Sequence, residues 1–162
     1  MTAPVPPRRG ADEQARLDAA LVELFEKQIS FNQVLGLKIE SVRPGDVRAR
    51  FAMKPALVGH HAFGRLHGGV TASVLDALGG LALMVEIGER HAHENTSQVM
   101  HRFARMGTID LRIDFLRQGL GKHFVARCEV TRLGGRVGST QMRLVNDEGT
   151  LIATGSAAYI VS

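Results

Sequence analysis

The sequence predicts an α+β fold: an antiparallel β-sheet wrapped around one long, apolar central helix, with an extra helix at the N-terminus. Three observations predict it. The stretch from Val70 to Val85 is apolar on almost every side, with Thr71, Ser73 and Asp76 its only polar side chains, and a helix that is apolar all round belongs inside a protein. After residue 107 the chain alternates apolar and polar residues in runs separated by turn residues, the pattern of half-buried antiparallel strands. Near the N-terminus, Leu17, Leu21, Leu24, Phe25 and Gln28 share one stripe at helical spacing.

The composition bounds the rest. A chain of 162 residues that is 44% apolar and 22% charged is expected to form one globular domain with a substantial core. The expected division is a disordered tail over 1–10 and a single domain over 11–162. The net charge of +4 comes from dispersed basic residues, with only 5% aromatics and no nucleic-acid motif, so no nucleic-acid partner is expected. The lone Cys128 excludes an intrachain disulfide and suits a reducing cytosol; its place in a strand pattern marks a small buried side chain, not a nucleophile. The opening MTAPVPPRRG lacks the apolar core of a signal peptide, and the 70–88 run is glycine-rich and carries Asp76 and Glu86. A cytoplasmic protein without membrane insertion is expected.

Taken in order, the N-terminal stripe predicts an amphipathic helix from Asp12 to about Ser30. Leu37, Ile39 and Ser41, then Val47, Ala49, Phe51 and Met53, predict a hairpin turning at Arg43-Pro44-Gly45-Asp46. Pro55 to Arg65 reads as a loop into the central helix. Glu89 to Gly107 is long and polar, with room for a short helix over 97–105. Ile109, Leu111, Ile113 and Phe115 predict a half-buried strand, and Phe124, Ala126, Cys128 and Val130 a second. Gly134-Gly135 signals a two-residue hairpin. Met142 and Leu144 mark a third strand, and Asn146 to Gly149 turns into a fourth with Leu151, Ala153, Ala157 and Tyr159 on one face. An antiparallel sheet around a single apolar helix is the hotdog architecture.

The chemistry concentrates at the central helix. An ionised carboxylate removed from water without a partner costs several kcal/mol, so Asp76 in an otherwise apolar helix calls for a partner or a role. His67, Gly68 and Gly69 precede the helix and leave backbone N–H groups uncovered at its positive end, a place suited to an oxyanion. Asp76 lies two turns further along. Donors at the tip and a carboxylate further in suit hydrolysis of a carbonyl compound. His60, His61, His67, His91, His93 and His101 raise a metal site as an alternative, but no spacing such as HExxH is present, and no metal is expected.

The stretch Leu66-His67-Gly68-Gly69-Val70-Thr71-Ala72-Ser73-Val74-Leu75-Asp76 resembles the HGG-x-x-x-x-L-x-D pattern of hotdog-fold acyl-CoA thioesterases of the PaaI-like family, and Thr108 to Leu116 resembles the strand that follows the helix there. The likeness spans roughly residues 36–160 and is greatest to the bacterial YigI-like branch. It implies that the chain hydrolyses acyl-CoA, in fatty acid metabolism, without a cofactor, coenzyme A being part of the substrate. It implies Asp76 as general base or nucleophile and the Gly68 N–H as the group polarising the thioester carbonyl, with His67 supporting the loop. Thr108 is implied to orient water from a partner subunit, in a homodimer or dimer of dimers whose active sites lie at the subunit interface. Gly69, Arg117, Arg132 and Arg136 are the candidates for substrate and coenzyme A binding. One departure stands out: the family commonly has an asparagine six or seven residues before the motif histidine, where this chain has His61 and His60. The apolar helix residues Ala77, Leu78, Leu81 and Met84 suit a medium- to long-chain aliphatic acyl group, and equally suit core packing.

Other readings remain open at this point. A hotdog protein can bind acyl-CoA without hydrolysing it; the presence of Asp76 and the lack of a DNA-binding helix pair argue against a sensor. A hotdog dehydratase needs a pattern such as D-x-N-x-x-H, which this sequence lacks. A structural oligomer with a site decayed at His60 and His61 is the third.

Overall fold

The computed structural model describes residues 6–162. Helix α1 (Ala11–Glu23) continues into a π-helical turn (Leu24–Gln28), and after Ile29 a short helix α2 (Ser30–Leu35) follows. Strands β1 (Lys38–Arg43) and β2 (Asp46–Ala52) form the expected hairpin, with Gly45 at φ 74° in its turn, a conformation that glycine accepts freely. A small two-stranded ribbon, β3 (Val58–His60) and β4 (Arg65–Leu66), leads into the long helix α3 (Gly68–Arg90). Helix α4 (Thr96–Arg102) precedes β5 (Gly107–Phe115), β6 (His123–Leu133), β7 (Val137–Asn146) and β8 (Leu151–Ile160). The six long strands form one antiparallel sheet in the order β1-β2-β6-β7-β8-β5. It curls around α3, whose Val74, Leu75, Leu78, Leu81 and Leu83 are fully buried against inward residues such as Phe51, Phe124, Met142 and Leu144. This is the hotdog arrangement that the alternation and the apolar helix predict. By length and composition α3 could cross a membrane; here the sheet and the N-terminal helices supply its apolar surroundings.

The N-terminal helix differs from its prediction in an instructive way. A helix continuous to Ser30 places Gln28 on the buried stripe. The π turn closes with Ile29 N–H donating to Leu24 C=O, one residue wider than an α turn. The extra residue leaves Gln28 exposed and brings Ile29 against the core behind buried Phe25. The segment also covers one sheet edge: the Glu26 carboxylate accepts from Ile39 N–H at 2.7 Å and from Lys38 Nζ at 2.8 Å, which blunts edge strand β1.

Within the stretch 1–10 expected to be a disordered tail, Arg8 and Arg9 are tied down. Arg9 Nη1 donates to Glu94 C=O at 2.8 Å and to His91 C=O at 3.3 Å, Nη2 donates to Gly88 C=O, and Arg8 pairs with Glu89. A guanidinium over the last carbonyls of α3 satisfies acceptors that a helix end leaves open. Residues 1–5 of the expected tail lie outside the described residues.

Three further expectations change. The presumed loop over 55–65 contains the β3–β4 ribbon. The β6–β7 connection spans Gly134, Gly135 and Arg136, and neither glycine has positive φ, so the two-residue turn that needs such glycines does not form. Strand β5 is not buried along its odd-numbered face: Ile109 is 58% and Phe115 59% exposed, while Leu111 and Ile113 are partly buried. A β-bulge is the cause at Ile109. Thr108 pairs with Tyr159 and Asp110 with Ala158, so Ile109 is the extra, unpaired residue. Phe115 is exposed because β5 is the outermost strand and its C-terminal end reaches the tip of α3. Among the described residues nothing covers the outer edge of β5.

Candidate active site

The residues singled out by the sequence form two separate groups on α3. The first surrounds Asp76. Its Oδ1 accepts a hydrogen bond from Thr108 Oγ1 at 2.8 Å, within the same chain. The bulge makes this possible: without the extra residue at Ile109, Thr108 would share a face with Asp110 and Arg112 and point away from the helix. The resemblance implied that Thr108 acts from a partner subunit; the structure places it beside the Asp76 of its own chain. Among the described residues, Asp76 Oδ2 has no hydrogen-bond partner. Tyr159 OH donates to the Asp76 backbone carbonyl at 2.8 Å. Burial, followed by the nearby Asp76 charge, pushes the Tyr159 phenol well above its ordinary pKa, so it stays a neutral donor. Its ring lies so close to α3 that a Cβ at Gly79 would collide with it.

Asp76 opens onto a cavity of about 310 Å³ lined mostly by apolar groups. Ala77, Gly80 and Met84 of α3 form one wall, Met106 and Tyr159 another, and Phe25, Ile29 and Phe31 the roof. Tyr159 and the roof residues were not legible as site residues. Ile29 and Phe31 sit where the π turn and α2 depart from the helical periodicity, and a buried aromatic on a strand face reads as core. Gly79 inside a helix is the signal that a close approach happens there, since Tyr159 occupies the place of its Cβ.

The second group is the tip of α3. His67 is the N-cap, and its Nδ1 accepts from Gly69 N–H at 2.9 Å. A nitrogen that accepts carries no proton, so in the neutral ring the proton sits on Nε2. Among the described residues no group accepts from Gly68 N–H, the first N–H of the helix. A Cβ at Gly68 would stand 3.4 Å from the Phe115 ring. Gly59 of β3 presses on His67 so closely that a Cβ there would collide with it, which fixes the capping ring. His60 and His61 sit on the exposed β3–β4 ribbon, with their rings stacked on each other at 5.8 Å between centroids and His60 4.9 Å from Phe63.

The two groups do not meet within one chain. Eight residues separate Gly68 from Asp76, roughly 12 Å along a helix axis. At that separation the Gly68 N–H and the Asp76 carboxylate of one chain are too far apart to reach the same carbonyl group. The arginines are scattered too. Arg117, two residues past Phe115, donates to Leu151 C=O. Arg132 and Arg136 flank the β6–β7 turn, where Arg90 from the far end of α3 donates to Leu133 C=O and Gly134 C=O.

Of the histidines considered for a metal, His91 and His93 converge on Glu94, with ring nitrogens 3.5 and 3.9 Å from Oε1. Both Glu94 oxygens are engaged by Arg102, and that guanidinium holds the carboxyl below the usual carboxylate range. The donor set already has its cation. Cys128 is buried and its thiol is pushed up to about 12 by that burial, as a core residue and not a nucleophile.

The model of the thioesterase superfamily matches residues 63–153, which include the α3 tip, Asp76 and Thr108. The chain belongs to the thioesterase superfamily. Among its relatives, the medium/long-chain acyl-CoA thioesterase YigI of Escherichia coli strain K12 is 37% identical over 139 residues, covering 86% of this chain and 90% of that protein. A crystal structure of a Shewanella oneidensis protein related to the thioesterase superfamily is 37% identical with a TM-score of 0.87, covering 92% of this chain and 97% of that one. The PaaI protein from the E. coli phenylacetic acid degradation operon, at 17% identity and TM-score 0.72 over 91% of this chain and 94% of that one, shares the fold.

Proposed function

We propose that the chain hydrolyses the thioester of medium- to long-chain aliphatic acyl-CoA to free acid and coenzyme A, at sites each completed by a second copy of the chain. The observation that carries the reading is the Asp76–Thr108 pair at the mouth of an apolar cavity. The E. coli relative, a medium/long-chain acyl-CoA thioesterase, supports the substrate class.

The open edge supports the second copy. Phe115 at one end of β5 lies against Gly68, and Thr108 near the other end holds Asp76. Two β5 strands paired antiparallel about a two-fold axis set these opposite ends against each other. The Gly68 N–H of one copy then approaches the Asp76 carboxylate of the other. The pairing also covers exposed Ile109 and Phe115 and removes an unprotected edge.

A thioester is already electrophilic, so the reaction asks for a donor to the carbonyl oxygen, a base and a positioned nucleophile. In the proposed site the Gly68 N–H stabilises the oxyanion, aided by the helix dipole. Asp76 takes a proton from water as it attacks, or itself attacks the thioester carbon to give an anhydride that water then opens; Thr108 holds the carboxylate in place. The C–S bond breaks and coenzyme A leaves as thiolate. His67 orders the α3 tip, Gly69 lets the substrate approach the backbone, and His60 or His61 stands in for the family asparagine. Arg117, on the Gly68 side, is the first candidate for a coenzyme A phosphate; Arg132 and Arg136 lie at the other end of α3. No metal or redox group enters this scheme.

Thiol release from butyryl-, octanoyl-, palmitoyl- and phenylacetyl-CoA tests the reading. The expected result is turnover with kcat/KM highest on the octanoyl and palmitoyl substrates. Tight binding of all four with no thiol released would make the protein an acyl-CoA binder instead.

A further inference from the structure

The cavity beside Asp76 has one wall with a missing side chain. Ser73, Asp76, Ala77, Gly80 and Met84 follow one another along a single face of α3. Gly79 and Gly80 are adjacent in the helix interior, where glycine is unfavourable relative to alanine. Gly79 has a steric reason to be glycine, because Tyr159 occupies the place of its Cβ. Gly80 has none: a Cβ there would meet only a Tyr159 ring carbon, at 4.0 Å, ordinary contact distance. The space left open at Gly80 belongs to the cavity and not to the packing of the protein.

The roof over this space comes from the N-terminal segment. The π turn aims Phe25 and Ile29 at α3, and α2 adds Phe31, which is 56% exposed at the rim. Asn32 fixes the turn: its side-chain amide donates to Phe25 C=O at 3.0 Å while buried at 3% exposure. Along the helix axis Gly80 lies roughly 6 Å beyond Asp76, and Met84 roughly as far again. An alkyl chain entering from the carboxylate must therefore pass between Gly80 and the roof before it reaches Met84.

We infer that Gly80, facing the Phe25–Ile29–Phe31 roof, is the acyl-length gate of this enzyme: its absent side chain lets an alkyl chain run on toward Met84, and any larger residue there restricts the site to short acyl groups. The inference rests on the reading of Asp76 as the carboxylate at the thioester and extends it from reaction to chain-length selection. The occupant to which it commits is a linear alkyl chain.

The test substitutes Gly80→Leu, with Gly80→Ala as the smaller step. Both replace glycine by better helix formers, and circular dichroism and the thermal midpoint verify the fold. The readout is the ratio of kcat/KM for octanoyl-CoA to that for butyryl-CoA. Gly80→Leu is expected to lower the ratio about ten-fold or more, the size of effect that a few methylenes excluded from an apolar pocket produce, and Gly80→Ala to lower it less. Calorimetric binding of non-hydrolysable thioether analogues of the same two chain lengths is expected to show the same loss. An unchanged ratio in an enzyme that still cleaves acyl-CoA overturns the gate and leaves the thioesterase reading standing. A wild type that cleaves nothing, yet binds the thioethers with the length dependence removed by Gly80→Leu, keeps the gate and overturns the reaction. Loss confined to phenylacetyl-CoA means an aromatic occupant and overturns the alkyl assignment.

Discussion

Replacing Asp76 by asparagine is expected to lower kcat for acyl-CoA hydrolysis by roughly 10²–10⁴-fold, the contribution of a positioned proton-transfer group. The substitution is nearly isosteric. The asparagine Oδ1 still accepts from Thr108, and the Tyr159 bond goes to the residue 76 backbone, which is unchanged. The fold, the thermal midpoint and the binding of thioether analogues should therefore persist while thiol release collapses. Activity that survives the substitution would make Asp76 a structural group and place the chemistry elsewhere.

The second large effect belongs to Gly68. Proline at this position is expected to lower kcat by roughly 10²–10³-fold, the loss that follows removal of one oxyanion donor. Proline deletes the N–H and adds a ring whose Cβ is matched by the alanine control. Gly68 is the first residue of α3, where proline is well tolerated, and the preceding His67 has φ −66° and ψ 135°, the extended conformation that a residue before proline adopts. Gly68→Ala is the control, since it keeps the N–H and adds a Cβ 3.4 Å from Phe115. Proline and alanine variants of equal activity would show that the Gly68 N–H does not meet the reacting carbonyl.

Much of the fold is legible in the sequence because its signals are periodic. Val47, Ala49 and Phe51, or Phe124, Ala126 and Cys128, alternate and are buried as alternation requires. The run from Val70 to Val85 can only be a core helix once six strands must cover something. What escapes is where periodicity slips by one residue. The bulge at Ile109 turns Thr108 inward, and the π turn replaces Gln28 by Ile29; no pattern of residue types announces either. Those two slips build much of the site, one bringing the hydroxyl to Asp76 and the other bringing part of the roof to the cavity. The tip of α3 is legible in composition, because His67-Gly68-Gly69 before an apolar run is a helix start with bare backbone. Its distance from Asp76 follows from helix geometry alone, and it is that distance on which the proposed pairing of two half-sites rests.

In the proposed site the carboxylate comes from one chain and the N–H from another. Asp76→Asn and Gly68→Pro chains, each inactive alone, test it when they are co-expressed with different affinity tags and the mixed oligomer is purified. In a mixed dimer one of the two sites carries both defects and the other carries an intact Asp76 facing an intact Gly68. The mixed species is expected to regain a substantial fraction of wild-type hydrolysis. Activity no greater than the sum of the two separate variants, in a mixed oligomer shown to be intact, would contradict it.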